Sequence, residues 1–262
     1  MMNSTQPKLQ FTKCPLPFEP SSNSLQQPEN FATTQWSMVV RAATDEDSQI
    51  AKVALAELCQ RYWYPLYCFV RSKVTHQEDA ADIVQGFFLQ LLEKSSFQMA
   101  DQSRGRFRSF LLASINNFLK NHRRDVSAQK RGGDVKHLSF DFVKADERFR
   151  LEPVEELTAE KIFERSWALE LIDCCLLKLK HRYGEQNQEE LFDALCGSLL
   201  GGEVNYATIA ETLGTNANAV KVAAHRMRQR LGDQIRSEIA NTVDSADDIE
   251  TELQHLMAAI QG

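Results

Sequence analysis

No pair of cysteines in this 262-residue chain has the spacing C-x-x-C. The six cysteines, Cys14, Cys59, Cys68, Cys174, Cys175 and Cys196, are scattered. That argues against a zinc ribbon and against a secreted disulfide framework. The six histidines form no H-E-x-x-H, there is no G-x-S-x-G, and RGGD (131–134) is too short for a phosphate-binding loop. No catalytic residue, metal site or cofactor is expected. No apolar run approaches the roughly 18 residues of a membrane span, and the opening MMNSTQPKLQFTKCPLPFEP lacks the apolar core of a signal peptide. A reduced, cytoplasmic setting without a membrane partner is the expectation. Strand alternation and repeats of fixed period are missing as well.

What remains is helical. Residues 1–33 are rich in Pro, Ser, Asn and Gln and read as a disordered tail. From about 34 onward apolar residues recur at helical spacing. In 49–74 they are Val53, Leu58, Tyr62, Leu66, Phe69 and Val70, with Pro65 expected to kink the helix or start a second one. In 78–94 Ile83, Val84, Phe87, Phe88, Leu91 and Leu92 make one stripe, with Asp79, Asp82, Gly86 and Glu93 opposite. In 104–125 Phe107, Phe110, Leu111, Ser114, Ile115, Phe118 and Leu119 form the core face, leaving Arg108, Asn117, Lys120, Asn121 and Arg124 outward. These helices define a first domain, 34–128. Residues 129–157, with a Gly-Gly, a Pro and no sustained period, read as a linker. Helical patterning resumes at 158–183 and 188–200. The fold class is all-α, two small helical domains joined by a linker.

Charge is segregated along the chain. Lys and Arg number 30 against 36 Asp and Glu, a formal charge of −6. Yet 104–131 carries eight basic residues against Asp125 alone, and 221–236 carries five against Asp233. The end, 237–262, holds Glu238, Asp244, Asp247, Asp248, Glu250 and Glu252 with no Lys or Arg. An acidic total therefore hides two basic segments.

The second of them lies in ATIAETLGTNANAVKVAAHRMRQRL, 207–231. This stretch has the parts of a helix-turn-helix: Ala210 where two helices cross, Gly214 in the turn, and Val220 as the anchor of the second helix. Ile209 and Leu213 complete one inner face, and Ala223, Met227 and Leu231 the other, with Asn216 capping the second helix. Asn218, Lys221, His225 and Arg228 are left in one outward row, the position from which such a helix meets DNA.

The order of these parts resembles the extracytoplasmic-function (ECF) sigma factors of RNA polymerase. DAADIVQGFFLQLLEK resembles the family's D-A-E-D-x-x-Q-E-x-F segment, and GRFRSFLLASINNFLKNHRR its adjoining promoter-melting helix. YATIAETLGTNANAVKVAAHRMRQRL resembles its C-terminal promoter-reading domain. The flanks NFATTQWSMVVRA and SEIANTVDSADDIETELQHLMAAI are similar to a longer subtype known mainly from planctomycetes. The resemblance implies a protein that binds core RNA polymerase (β′ clamp and β flap) and promoter DNA and is not itself an enzyme. It assigns Asp79, Asp82 and Gln85 to the clamp, although Ala81 and Gly86 stand where the family has acids. Arg108, Asn117, Lys120, Asn121, Arg123 and Arg124 would track the minus-10 element. The domain 158–240 would read the minus-35 element through Asn218, Lys221, His225, Arg226 and Arg228. The linker would pass near the polymerase active centre, and an anti-sigma factor or another regulator would control the protein.

Three further expectations follow. Phe107, Phe110 and Phe118 belong to the core and not to base stacking, with Phe110 the best exception. The acidic extension 241–262 forms a helix on Ile249, Leu253, Leu256 and Ile260 that packs on the C-terminal domain. The alternative to a polymerase subunit is a helix-turn-helix regulator acting alone, for which no heptad run offers a dimer interface.

Overall fold

The computed structural model describes residues 49–93, 107–125, 140–152, 156–199, 201–202, 204–243 and 245–261, and among these the regular elements are helices, with no strand. They are α1 (Gln49–Arg71), α2 (Gln77–Glu93), α3 (Phe107–Asp125), α4 (Phe142–Leu151), α5 (Ala159–Glu185), α6 (Glu189–Leu199), α7 (Tyr206–Thr212), α8 (Ala217–Ala240) and α9 (Asp247–Gln261). The described residues form two compact units. One holds the described residues of 173–235, and the other joins the described residues of 28–172 with those of 236–262. The expected tail, 1–33, lies outside the described residues.

In the larger unit α1 packs on α2 and α4, and α2 on α3 and α4. Of the stripes expected from spacing, Tyr62, Leu66, Phe69 and Val70 on α1, Ile83, Val84, Phe87, Phe88 and Leu91 on α2, and Phe107, Phe110, Leu111, Ile115 and Leu119 on α3 are buried. Ser114 and Phe118 are half-buried, and the side chains of Val53, Leu58 and Leu92 lie outside the described residues. Each fully buried aromatic or aliphatic side chain contributes about 2–3 kcal/mol relative to an exposed one. Their edges interlock, with Tyr62 against Phe107 at 5.1 Å and Phe87 against Phe118 at 5.8 Å, both edge to face. Burial pushes the thiols of Cys59 and Cys68 up to about 12, so both stay protonated and inert.

Two expectations fail here for a physical reason, and a third is narrowed. Of the two outcomes expected at Pro65, a second helix does not start there; α1 runs through it. The residues that follow it, Leu66–Val70, are all buried, and that packing outweighs a missing donor. Gly86 is half-buried and faces α3, where an added β-carbon would lie 3.4 Å from the ring of Phe118. Within the expected linker, 142–151 is helix α4, opened by Asp141, whose side chain accepts from the backbone N–H of Lys144.

Charges fasten α4 to its neighbours. Asp146, buried, accepts from Tyr67 Oη at 2.9 Å and Arg71 Nε at 2.7 Å, and pairs with Arg150 at 2.6 Å. Arg148 lies 4.3 Å over the ring of Tyr64 and pairs with Glu152 and Glu170. Tyr64 Oη donates to Glu152 at 2.8 Å. Trp63 stacks flat on Phe140 at 4.9 Å, just before the helix begins.

The extension is the larger correction. Its helix α9 belongs to the unit of α1–α4, not to the unit that holds α6 and α7. Leu256 is buried as expected, while Ile249, Leu253 and Ile260 are half-buried. Ion pairs account for the change of address: Glu252 pairs with Arg108 of α3 at 3.0 Å, and Glu238, in the last turn of α8, pairs with Arg61 of α1. The Phe107 N–H also donates to the Thr242 carbonyl at 3.3 Å. A hydrophobic pattern names the buried face of a helix but not the surface that will cover it.

In the smaller unit Tyr183 of α5 meets Phe192 of α6 at 5.9 Å, and Lys180 pairs with Asp193 at 3.2 Å. The turn between these helices uses Asn187 at φ 55°, a left-handed conformation that asparagine tolerates. Leu195 is fully buried on α6, as are Val220, Ala224 and Met227 on α8.

Asp146 supplies a pH test. Burial alone would raise its pKa, but hydrogen bonds from Arg71 and Tyr67 and the charges of Arg71 and Arg150 hold the carboxyl below its ordinary range. Its stabilisation is complete above the unfolded value of about 4 and is lost as pH falls through the lower folded value. Asp146→Asn should therefore lose about 3 kcal/mol at pH 7, the low end for a broken buried pair because Arg150 stays solvated. Denaturant titrations should show the gap from the native chain narrowing below about pH 4.

Candidate nucleic-acid interface

The helix α7 opens at Asn205, whose side chain accepts from the backbone N–H groups of Ala207 at 3.0 Å and Thr208 at 3.3 Å. It closes at Leu213, and Gly214 follows at φ +61°, a value that favours glycine. The Thr215 N–H returns to the Ala210 carbonyl at 2.9 Å. Asn216 then caps α8 as expected, accepting from the Ala219 N–H at 2.8 Å. Two capped helices are thus held across a short turn with Ala210 buried between them.

The buried side of α8 is Val220, Ala224, Met227 and Leu231. Ala224 takes the place expected of Ala223, which is half-buried, because the spacing 220, 224, 227, 231 follows the helix more closely. Asn218, Lys221, His225, Arg226 and Arg228 are all exposed, as is Val222. Arg228 Nη2 donates to Tyr206 Oη at 3.0 Å, so that guanidinium is tethered to α7. Sequence reasoning did not find Tyr206; only its place at the first turn of α7 offers a hint. Between the starts of α7 and α8 lies an open cleft of about 680 Å³, lined by Val204, Asn205, Tyr206, Ala207, Ala217 and Lys221.

On α3 the outward residues Asn117, Lys120 and Asn121 are exposed at spacing i, i+3, i+4, and so share one face. The side chains of Arg123 and Arg124 lie outside the described residues. Phe118 is half-buried and stacks on His122 at 5.9 Å, while Phe107 and Phe110 are buried; none of the three is a free stacking platform. Arg108 does not point outward. It is only 5% exposed, pairs with Glu164 and Glu252, approaches His255 at 3.3 Å, and lies 4.3 Å over the ring of Trp167. A guanidinium held this way is a structural cation and has no surface left for a phosphate. It was misread because Arg108 sits one step off the apolar stripe, where a solvent face is the usual outcome.

On α2 Asp79 and Asp82 are exposed and Gln85 is half-buried, one turn apart along the helix. Glu78 and Asp79 occupy its first turn, where the helix dipole also favours acids. No helix among the described residues is long and apolar enough to cross a membrane.

α8 and α3 thus carry exposed cations and amides, and α2 carries exposed acids. The sequence matches the ECF sigma factor family over residues 47–221, the greater part of the chain. The chain belongs to that family. It binds core RNA polymerase and directs promoter-specific initiation of transcription, and it is not itself an enzyme. No curated protein and no solved structure matches it.

The burial of Arg108 separates it from its neighbours on α3. Arg108→Ala should lower stability by about 3–5 kcal/mol, because it strands two carboxylates that the fold has drawn together. Lys120→Ala should change stability by no more than about 0.5 kcal/mol. Thermal and denaturant unfolding of the two variants checks both values.

Proposed function

We propose that α7, Gly214 and α8 are a helix-turn-helix that reads the minus-35 element. The observation that carries this reading is the division of α8. Val220, Ala224, Met227 and Leu231 are buried on one side, and Asn218, Lys221, His225, Arg226 and Arg228 are exposed to meet DNA. Side chains near the start of such a helix reach base edges, and the later arginines meet phosphates. Arg228, tethered to Tyr206, suits a phosphate contact.

In the same reading the first domain, 34–128, captures the minus-10 element through Asn117, Lys120 and Asn121, with Arg123 and Arg124 continuing the basic run. Asp79, Asp82 and Gln85 dock on the β′ clamp, where exposed acids answer the clamp's arginines. The 158–240 domain meets the β flap, and the protein works in the cytoplasm beside the chromosome. The helix α9, an addition to the two promoter-binding domains, supports the longer subtype.

Reconstitution tests the assignment. Purified chain, core polymerase from the same source and genomic DNA should yield discrete start sites that vanish when the chain is omitted. Lys221→Ala should weaken promoter binding and, if Lys221 meets a phosphate, reduce the slope of log K against log salt by about one. Asp82→Arg should impair assembly with core polymerase without lowering the unfolding midpoint. Normal assembly of that variant would rule out α2 as the docking face.

A further inference from the structure

One exposed residue of α8 is neither basic nor polar. Val222 is 42% exposed, and among the described residues of Asp173–Ile235 it is the large apolar side chain left in water. It stands four residues after Asn218, three before His225 and four before Arg226, so it shares the outward face with all three. Val220, Ala224 and Met227 already fill the inner face. A β-branched residue is also a weak helix former at a solvent position, where alanine or lysine would serve the helix better. Neither packing nor helix propensity accounts for a valine here.

Its surroundings point to a ligand with one apolar group among hydrogen-bonding ones. The edges of base pairs in the major groove offer donors and acceptors throughout, and a single apolar group, the C5-methyl of thymine. Asn218, Lys221, His225 and Arg226 can address the donors and acceptors. Val222 can address the methyl, near enough to the start of α8 to reach base edges.

We propose that Val222 is a specificity-determining residue whose isopropyl group packs against the C5-methyl of one thymine in the minus-35 element. The proposal rests on reading α8 as the minus-35 reader. It makes recognition at one position depend on a methyl group in place of a hydrogen bond.

The test uses holoenzyme assembled from the full chain and a promoter fragment recovered by start-site mapping. Each thymine of the minus-35 element, on both strands, is replaced in turn by deoxyuridine, which lacks only the methyl. Native holoenzyme should lose affinity about fourfold at one position, the worth of one buried carbon group. Val222→Ala, which favours the helix, should bind the native fragment about fourfold more weakly and show no further loss with deoxyuridine there. The contact is overturned if Val222→Ala keeps the native pattern of deoxyuridine sensitivity, or if native holoenzyme has none. Lys221→Ala, measured alongside, separates two kinds of failure. If it still weakens binding, only the methyl contact falls; if it too has no effect, the assignment of α8 falls with it.

Discussion

In the larger unit three helices meet at the guanidinium of Arg108. α3 supplies the charge, α5 answers it with Glu164 and the face of Trp167, and α9 with Glu252. Arg108 and Glu252 are both almost wholly buried, and the Arg108 Nε has no hydrogen-bond partner. Desolvating two charges and one N–H is costly, so an apolar contact of the same size would hold α9 at least as firmly. What a buried pair adds is discrimination. An apolar helix could slide along an apolar groove, whereas Glu252 finds its partner at one register. The second pair, Arg61 with Glu238, fixes the chain 14 residues earlier, and Thr242 closes the interval through the Phe107 N–H. The last turn of α8 and the chain after it are thereby pinned at three points to α1 and α3.

The same use of charge explains α4. Its exposed Val143 and Leu151 show that apolar burial is only part of its attachment, though Ala145 and Phe149 are buried. Asp146 and Arg148 complete the attachment with opposite charges, each reaching a tyrosine of α1 as well as an ion-pair partner. Burial pushes the Glu170 carboxyl up even with Arg148 beside it, so desolvation outweighs that partner. These pairs are buried on at least one side or partly so, which shields them from salt, and the rings of Phe142, Trp63 and Tyr67 add apolar contact beside them.

These features mark the limit of what could be read from residue order. The core faces of α1, α2 and α3 were legible because burial on one side of a helix imposes a 3.6-residue period. The turn at Gly214 and the cap at Asn216 were legible because few residues do those jobs. Arg108, α4 and the partner of α9 were not. A buried arginine looks like an exposed one until its carboxylates arrive, and here they come from 56 and 144 positions away. α4 is only ten residues long, carries five charges and follows a Gly-Gly, so its short apolar stripe of Phe142, Ala145 and Phe149 passed for part of a connector. The one-residue slip from Ala223 to Ala224 has a simpler cause: two adjacent alanines have the same side chain, so only the finer helical spacing chooses between them.

The acidic total and the basic helix can now be reconciled. A formal charge of −6 is a sum over the whole chain, while DNA meets a local field that falls off over a Debye length of about 8 Å at physiological salt. Two of the carboxylates in 237–262, Glu238 and Glu252, are consumed in ion pairs with Arg61 and Arg108. Both carboxylates are themselves buried, facing a half-buried Arg61 and a buried Arg108, and project little charge into solvent. On α8 the opposite holds: Lys221, Arg226 and Arg228 are exposed, and no acid occurs between Ala217 and Gly232. An acidic protein can present a basic surface when its bases are gathered on one face of a helix and its acids, whether paired or exposed, lie elsewhere. The charges exposed near a face, more than the net charge, then set what that face attracts.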